Sequence, residues 1–386
     1  MKLKIILERK INKAILFLAF TTLLPIISFG QNNGLGQYLT NQSLQHTSGN
    51  RQYAIYIPVN YNSAQPVPLV LLFHGFTNNI SNMFNDSEMQ MLADTNNFIY
   101  AIPQGLGGLP GWNIGLNFGG NADDLGFTRS LIDRISLNYS INPKRVYAAG
   151  FSNGGFFSYQ LACQMSDKIA AIASVAGSMN PTWISGSNPT CNSQHQMPIL
   201  QFTGTNDNVI PIAGGNGGTA LNNVFNYWID FNNTNTAPTI TNINAVTKRT
   251  VYNNGDNGAI VEFIEIGGRG HEWPKTTTAG LRENASIRIW DFFSKYDIDG
   301  LIAPLSVNKF NSTGISIYPN PTKSFITINN INFVEKTQYN IASITGQVII
   351  TGELTTAIQQ IDISNLNASL YFLKIGDSTF KIIKTQ

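Results

Sequence analysis

Ser152 lies in Gly150-Phe151-Ser152-Asn153-Gly154, a Gly-x-Ser-x-Gly run that offers the chain a nucleophile. The apolar residues 145–149 before it read as a buried strand, and residues 155–162 after it read as a helix. A serine on a tight strand-to-helix turn has a strained backbone and a hydroxyl pushed above the sheet. The flanking glycines let that turn pass its neighbours. A hydroxyl is a poor nucleophile at neutral pH and needs a base. The chain has four histidines: His46, His74, His195 and His271. With this type of turn the acid and then the base follow the serine along the chain, which leaves His195 and His271. His271 is the expected base. Its glycine-rich loop, residues 267–274, follows the strand-like run 259–266 and can reach over the sheet edge. His195 reads as a solvated residue of the polar loop 191–198.

The acid follows by the same elimination. Residues 198–204 read as a buried strand, and Thr205-Asn206-Asp207-Asn208 is the loop at its carboxyl end. Catalytic groups of open α/β sheets gather outside those ends, so Asp207 is expected to orient the imidazole. Asp167, Asp230 and Asp256 fall in helix-like or turn-like segments and read as solvated charges. An oxyanion hole needs two backbone N–H groups, one from the residue after the nucleophile, here Asn153. The other is expected from Phe76, in the loop His74-Gly75-Phe76-Thr77 after the strand-like run 67–73. His74 reads as a support of that loop, and the Phe76 ring as a neighbour of the acyl group.

These residues require a sheet that delivers several loops to one edge. Strand-like runs at 53–58, 69–73, 98–103, 145–149, 169–175, 199–203 and 259–266 alternate with helix-like runs at 83–96, 124–137, 153–164, 219–232 and 279–295. Such alternation predicts an α/β fold with a mainly parallel sheet covered on both faces. Beyond a polar linker, residues 303–314, come seven short alternating runs without a helix, at 315–318, 325–329, 339–344, 347–351, 358–363, 369–375 and 380–383. They predict a small C-terminal β-sandwich.

The ordered set His74-Gly75-Phe76, Trp112-Asn113, Asp123-Asp124-Leu125-Gly126-Phe127, Gly150 to Gly155, Gly204-Thr205-Asn206-Asp207 and Gly270-His271-Glu272-Trp273-Pro274 resembles one family. It is the secreted polyhydroxybutyrate-depolymerase-like esterases, related to feruloyl and acetylxylan esterases. The resemblance spans roughly residues 45–298. It implies an α/β-hydrolase fold, a Ser152–Asp207–His271 triad and hydrolysis of carboxylic esters, in a polyester or an ester-decorated polysaccharide. His74, Trp112 and Trp273 are assigned to the substrate cleft, with the Trp273 ring packed under the His271 loop. The chain departs from its relatives at Ile114-Gly115-Leu116-Asn117-Phe118-Gly119-Gly120, where they often carry cysteines. This loop borders the cleft, so a feruloyl or acetylxylan esterase stays open beside the polyester reading. A serine peptidase like the prolyl oligopeptidases is a further alternative, although the chain lacks their large propeller domain. A noncatalytic surface-binding protein is the third. The C-terminal runs Tyr318-Pro319-Asn320-Pro321, Ile344 to Gln347, Ile361 to Leu366 and Leu370 to Ile375 resemble the sorting domain of the type IX secretion system. A carbohydrate-binding module is disfavoured there by the scarcity of aromatic platforms.

Lys2, Lys4, Arg9, Lys10 and Lys13 precede an apolar core at 14–29, and small residues end it before Gln31. Residues 1–30 therefore read as a cleaved secretory signal and not a membrane anchor, since the apolar run is shorter than the ~20 residues of a span. The expected location is outside the cell or on its surface, reached through the periplasm by way of the type IX machinery. In that oxidising setting the two cysteines, Cys163 and Cys191, are expected to pair. Charged residues make up 12% and the net charge is +2, so nothing points to nucleic acid. No Cys/His cluster has zinc spacing, and residues 105–111 lack the Gly-Lys-Ser/Thr of a phosphate loop. No cofactor and no metal are expected.

Overall fold

The computed structural model describes residues 36–116, 121–185, 190–275, 284–302, 315–330, 335–343, 346–376 and 378–385. The expected signal, residues 1–30, and the expected linker, residues 303–314, lie outside them, as does the 117–120 part of the cleft loop. The chain divides into two compact units after Gly300.

In the first unit the strands are β1 (Gln37–His46), β2 (Gly49–Ile57), β3 (Val67–Phe73), β4 (Ile99–Pro103), β5 (Ile141–Phe151), β6 (Ala171–Val175), β7 (Ile199–Gly204), β8 (Thr239–Asn242), β9 (Thr247–Tyr252) and β10 (Val261–Ile266). The helices are α1 (Ile80–Ser87), α2 (Gln90–Asn96), α3 (Asp124–Asn138), α4 (Asn153–Gln164), α5 (Pro181–Ile184), α6 (Leu221–Asn232) and α7 (Ala285–Phe293). Among the described residues the strands form one sheet in the order β1-β2-β4-β3-β5-β6-β7-β10-β9-β8. The run from β4 to β10 is parallel, and antiparallel strands extend it at both edges. This is the α/β-hydrolase fold, and its carboxyl edge gathers the loops after β3, β5, β7 and β10.

Side-chain alternation along the strands builds two cores. Leu69, Leu71 and Phe73 of β3 join Phe127 and Leu131 of α3, Phe156, Phe157 and Leu161 of α4 and Trp228 of α6 on one face. Val70 and Leu72 turn to the other face with Met83, Ala93 and the α7 residues Ile289, Trp290 and Phe293. Successive strand residues point to opposite faces, so a strand covered on both sides must be apolar throughout, as β3 is. Each fully buried side chain of this size stabilises the fold by about 1.5–3 kcal/mol. No described helix is long and apolar enough to cross a membrane.

Three differences from the sequence reading concern local geometry and edges. The expected helix 83–96 is two helices, because Glu88 takes a left-handed conformation (φ 47°) and caps α1. The polar edge strands β1 and β8 and their neighbour β9 were not expected; antiparallel pairing with the next strand along the chain forms them. The part of the expected helix 279–295 that lies at 279–283 falls outside the described residues, and α7 occupies the rest up to Phe293.

The second unit has a three-stranded sheet (Ile315–Tyr318, Phe325–Asn330, Ile358–Asp362) and a four-stranded sheet ordered Val348–Leu354, Thr337–Ser343, Ser369–Ile375, Ser378–Lys384. Ile326, Ile328 and Ile361 from the first meet Ile341, Leu354, Leu373 and Ile382 from the second in one core. In Ser369–Ile375 buried and exposed positions alternate over the last five residues, as a strand with one solvated face requires. The unit is a β-sandwich.

Candidate active site

Ser152 lies between β5 and α4, capping the helix start with φ 53° and ψ −118°. That region is costly for a residue with a Cβ, on the order of 1–3 kcal/mol, and persists only where the surroundings enforce it. Here the Ser152 N–H donates to the Val175 carbonyl of β6 at 2.8 Å. Gly154 lies so close to β3 that a Cβ would collide with the Phe73 carbonyl oxygen. The strand before and the helix after thus set the serine hydroxyl above the sheet edge.

Three loops converge on it. His271 Nδ1 is 2.8 Å from Asp207 Oδ2, and His271 Nε2 is 2.8 Å from Ser152 Oγ. A carboxylate cannot donate, so Nδ1 carries the proton and Nε2 accepts from the serine hydroxyl. Asp207 is 3% exposed, and its other oxygen accepts from the N–H groups of Val209 (2.9 Å) and Ile210 (2.8 Å). Burial pushes the Asp207 carboxyl up, but the bonds from His271, Ile210 and Val209 outweigh it and hold the group below the usual carboxylate range. The carboxylate therefore stays ionised beside the His271 imidazole.

The two loops are clasped to one another. The Asn206 N–H donates to the Arg269 carbonyl at 2.8 Å, the Thr205 N–H to Ile266 at 3.0 Å, and Gly268 donates to Thr205 Oγ1 at 2.8 Å. Arg269 forks onto Glu272 across His271, at 2.6 and 3.1 Å. The Phe151 ring lies 4.9 Å from the imidazole, centroid to centroid. Trp273 is buried, and its indole N–H donates to Ser286 Oγ of α7 at 3.1 Å. Its ring therefore ties the His271 loop to α7 and forms no cleft wall.

His74 and Trp112 also differ from their expected place on the cleft. Both are buried, with Trp112 at 0% exposure. The reason is hydrogen bonding: the Trp112 indole N–H donates to the His74 carbonyl at 2.8 Å, and His74 Nδ1–H donates to the Gly75 carbonyl at 2.7 Å. His74 Nε2 then accepts from Gly105 N–H (2.9 Å) and Gln104 Nε2 (3.0 Å). Burial lowers the His74 pKa to about 4, only partly opposed by the Gly75 carbonyl, so the ring is neutral at pH 7. Gly75 itself approaches Ser152: a Cβ there would stand 3.4 Å from Ser152 Cβ. Phe76, half-buried, comes next.

Other expected bystanders are accounted for. His195 is held by two carbonyls, Gln196 at 2.7 Å and Ile169 at 3.0 Å, and is less solvated than expected. Asp167 pairs with Arg129 at 2.6 Å on the surface. Cys163 at the end of α4 and Cys191 form a disulfide. The sequence reading missed the Asn153 side chain, whose amide bonds the Trp112 backbone, and the buried Arg51–Asp124 pair at 2.6 Å. Asp124 also accepts from Asn113 N–H at 2.7 Å, which fixes the chain just after Trp112. An amide next to the nucleophile and an acid at a helix start were the available signals.

Residues 125–240 match the family described as Phospholipase/Carboxylesterase, and residues 316–386 match the secretion system C-terminal sorting domain. The chain is 29% identical over 277 residues to the bifunctional acetylxylan esterase/xylanase XynS20E of Neocallimastix patriciarum, covering 71% of this chain and 37% of that protein. It is 34% identical over 167 residues to feruloyl esterase B of Piromyces equi, covering 43% of this chain and 31% of the relative. The chain thus spans about a third of the length of these two relatives. Among solved structures, the acetyl xylan esterase from Aspergillus awamori superposes with a TM-score of 0.48 at 16% identity, over 66% of this chain and 98% of that one. The match to the carboxylesterase family falls within the first unit. The second is a sorting domain, which marks the chain for export to the cell surface or the medium.

Proposed function

We propose that the first unit is a serine esterase that hydrolyses carboxylic esters carried on a polysaccharide. The observation that carries this reading is the unbroken relay Ser152 Oγ–His271–Asp207, each link 2.8 Å, on a strained turn at the carboxyl edge of the sheet. In it, Ser152 Oγ attacks the ester carbonyl as His271 Nε2 takes its proton. The carbonyl oxygen becomes an oxyanion held by the N–H groups of Asn153 and Phe76. The C–O bond to the alcohol then breaks, and His271 returns the proton to the leaving oxygen. Water, deprotonated by the same imidazole, attacks the acyl-serine; the C–Oγ bond breaks, the imidazolium returns its proton to Ser152 Oγ, and the acid leaves. Asp207 keeps Nδ1 protonated and stabilises the imidazolium throughout. The proposed steps use side chains and main-chain N–H groups of this unit and one water.

Likeness to acetylxylan and feruloyl esterases favours acetyl or feruloyl groups on a plant-type polysaccharide over a polyester. Export fits a substrate too large to enter a cell, with residues 1–30 as the secretory signal and the type IX machinery as the partner of the second unit. Ser152→Ala is expected to lower turnover of a short p-nitrophenyl ester by about 1,000-fold or more with the melting temperature unchanged. Near-native turnover in that variant would falsify the mechanism. A panel of acetylated xylan, a feruloylated arabinoxylan fragment, polyhydroxybutyrate and a Pro-containing peptide amide ranks the substrate classes. Efficient cleavage of the peptide alone would replace the esterase by a peptidase.

A further inference from the structure

The two N–H groups proposed for the oxyanion hole come from separate elements, the start of α4 and the loop between β3 and α1. Something must fix the distance between them. Asn153 is 1% exposed, and its side chain turns away from the solvent edge toward Trp112. Its Oδ1 accepts from the Trp112 N–H at 2.7 Å, and its Nδ2 donates to the Trp112 carbonyl at 3.2 Å. A primary amide offers an acceptor and a donor in one plane, which suits a backbone N–H and C=O on one residue. Trp112 passes the restraint on. Its ring stacks on Phe157 with 5.2 Å between centroids, and its indole N–H holds the His74 carbonyl at 2.8 Å. His74 opens the loop that carries Gly75 and Phe76, and its imidazole braces the Gly75 carbonyl. The Thr77 N–H, on the Pro110 carbonyl at 2.7 Å, ties the far side of this loop to the segment that holds Trp112.

We infer that the Asn153 side chain is a positioning group for the oxyanion hole: through Trp112 and His74 it sets the Phe76 N–H against the N–H of Asn153 itself. The inference rests on the ester-hydrolase reading and adds a residue to it. One amino acid then serves the developing charge twice, by its main chain directly and by its side chain through a relay. Loss of the relay leaves the triad and the nucleophile in place. It separates two donors that must both lie within about 3 Å of one oxygen. The effect therefore falls on the transition state, where the oxyanion exists, and not on substrate binding.

The test uses the full chain and the variants Asn153→Ala and Trp112→Phe, singly and combined. Trp112→Phe keeps an aromatic ring and removes only the indole donor to His74. With a short p-nitrophenyl ester, Asn153→Ala is expected to lower kcat by about 100-fold with KM changed less than about threefold, since a misplacement near 1 Å costs that much. A boronic acid that caps Ser152 as a tetrahedral adduct should lose affinity in step with kcat/KM. The double variant should fall little below the worse single one, because both break one relay. Hydrogen exchange gives a readout that does not depend on the chemistry: amides 74–77 should exchange faster in Asn153→Ala while those of β5 stay protected. Turnover near native in Asn153→Ala, a loss confined to KM, additive losses in the double variant, or unchanged exchange at 74–77 would each overturn the inference. If Asn153→Ala does not fold, Trp112→Phe carries the same kinetic and exchange tests. Retained turnover in Ser152→Ala is the separate result that removes the esterase reading, and the exchange measurement still decides the relay.

Discussion

His74 shows how one buried side chain converts pH into stability. Its ring needs Nδ1 protonated for the Gly75 carbonyl and Nε2 bare for the Gly105 N–H. A second proton would set an N–H against two donors, and burial has already lowered the pKa from 6.5 to about 4. The unfolded chain therefore binds more protons than the folded one between those values. Stability from this group is complete above pH ~6.5, drains as pH falls through the window and is gone below ~4, a change on the order of 3 kcal/mol. Asp207 has the same sign, but its folded pKa lies below the usual carboxylate range, so its loss comes only in stronger acid. His74→Gln keeps an acceptor and cannot titrate. In urea unfolding at pH 7, 5.5 and 4.5, the stability gap between native and His74→Gln chains is expected to shrink as pH falls; a constant gap would show that His74 does not titrate on folding. At this scale the meeting of Ser152, Asp207 and His271 was legible, because a motif, a count of four histidines and chain order left few choices. The burial of His74 and Trp112 was not. It follows from hydrogen bonds to main-chain groups, and no residue type announces which carbonyl will be near.

Elements act by bringing loops from distant parts of the chain to one edge, and one such meeting is between the loops after β7 and β10. β7 and β10 pair in parallel from Val261↔Ile199 to Ile266↔Gly204, so their ends are level. Gly204 closes β7, and a Cβ there would collide with the carbonyl oxygen of Arg269 in the His271 loop. Gly204→Ala must therefore push the His271 loop away from Asp207, the proposed acid, while leaving the strand core intact. Turnover is expected to fall by about 100-fold on acetyl, feruloyl and p-nitrophenyl esters alike, since a displaced base harms every transition state equally. Kinetics on the three esters beside a thermal melt check this, and a change in substrate ranking would place Gly204 at the cleft instead. The interior strands and α4 were legible from their apolar runs and the glycine-bounded turn. β1 (Gln37-Tyr38-Leu39-Thr40-Asn41-Gln42-Ser43-Leu44-Gln45-His46) was not, because its residues are mostly polar and only Leu44 is buried. Its strand state comes from pairing with β2. The break between α1 and α2 was missed for a related reason: Glu88 adopts a glycine-like φ without being glycine.

At the scale of the molecule, chemistry and address are written in different units. Ser152, Asp207, His271 and the residues that position them all precede Gly300, and the sheet there has its own two cores. The sorting domain has a third core of its own, built from the two faces of its sandwich. A unit with a complete core is expected to fold alone, and a site whose residues all lie in one unit does not require the other. In the sequence, alternating strand-like and helix-like runs give way to short strand-like runs alone after residue 314. Removing residues 315–386 should therefore leave kcat on a soluble p-nitrophenyl ester within about twofold. Export should fail at the same time, so that activity stays inside the producing cells while the full chain delivers it to the surface or the medium. The two measurements must part company for the division of labour to hold. A truncated chain that melts cooperatively yet has lost turnover would show that the sandwich contributes to the active site. A truncated chain that still reaches the medium would show that the address lies elsewhere.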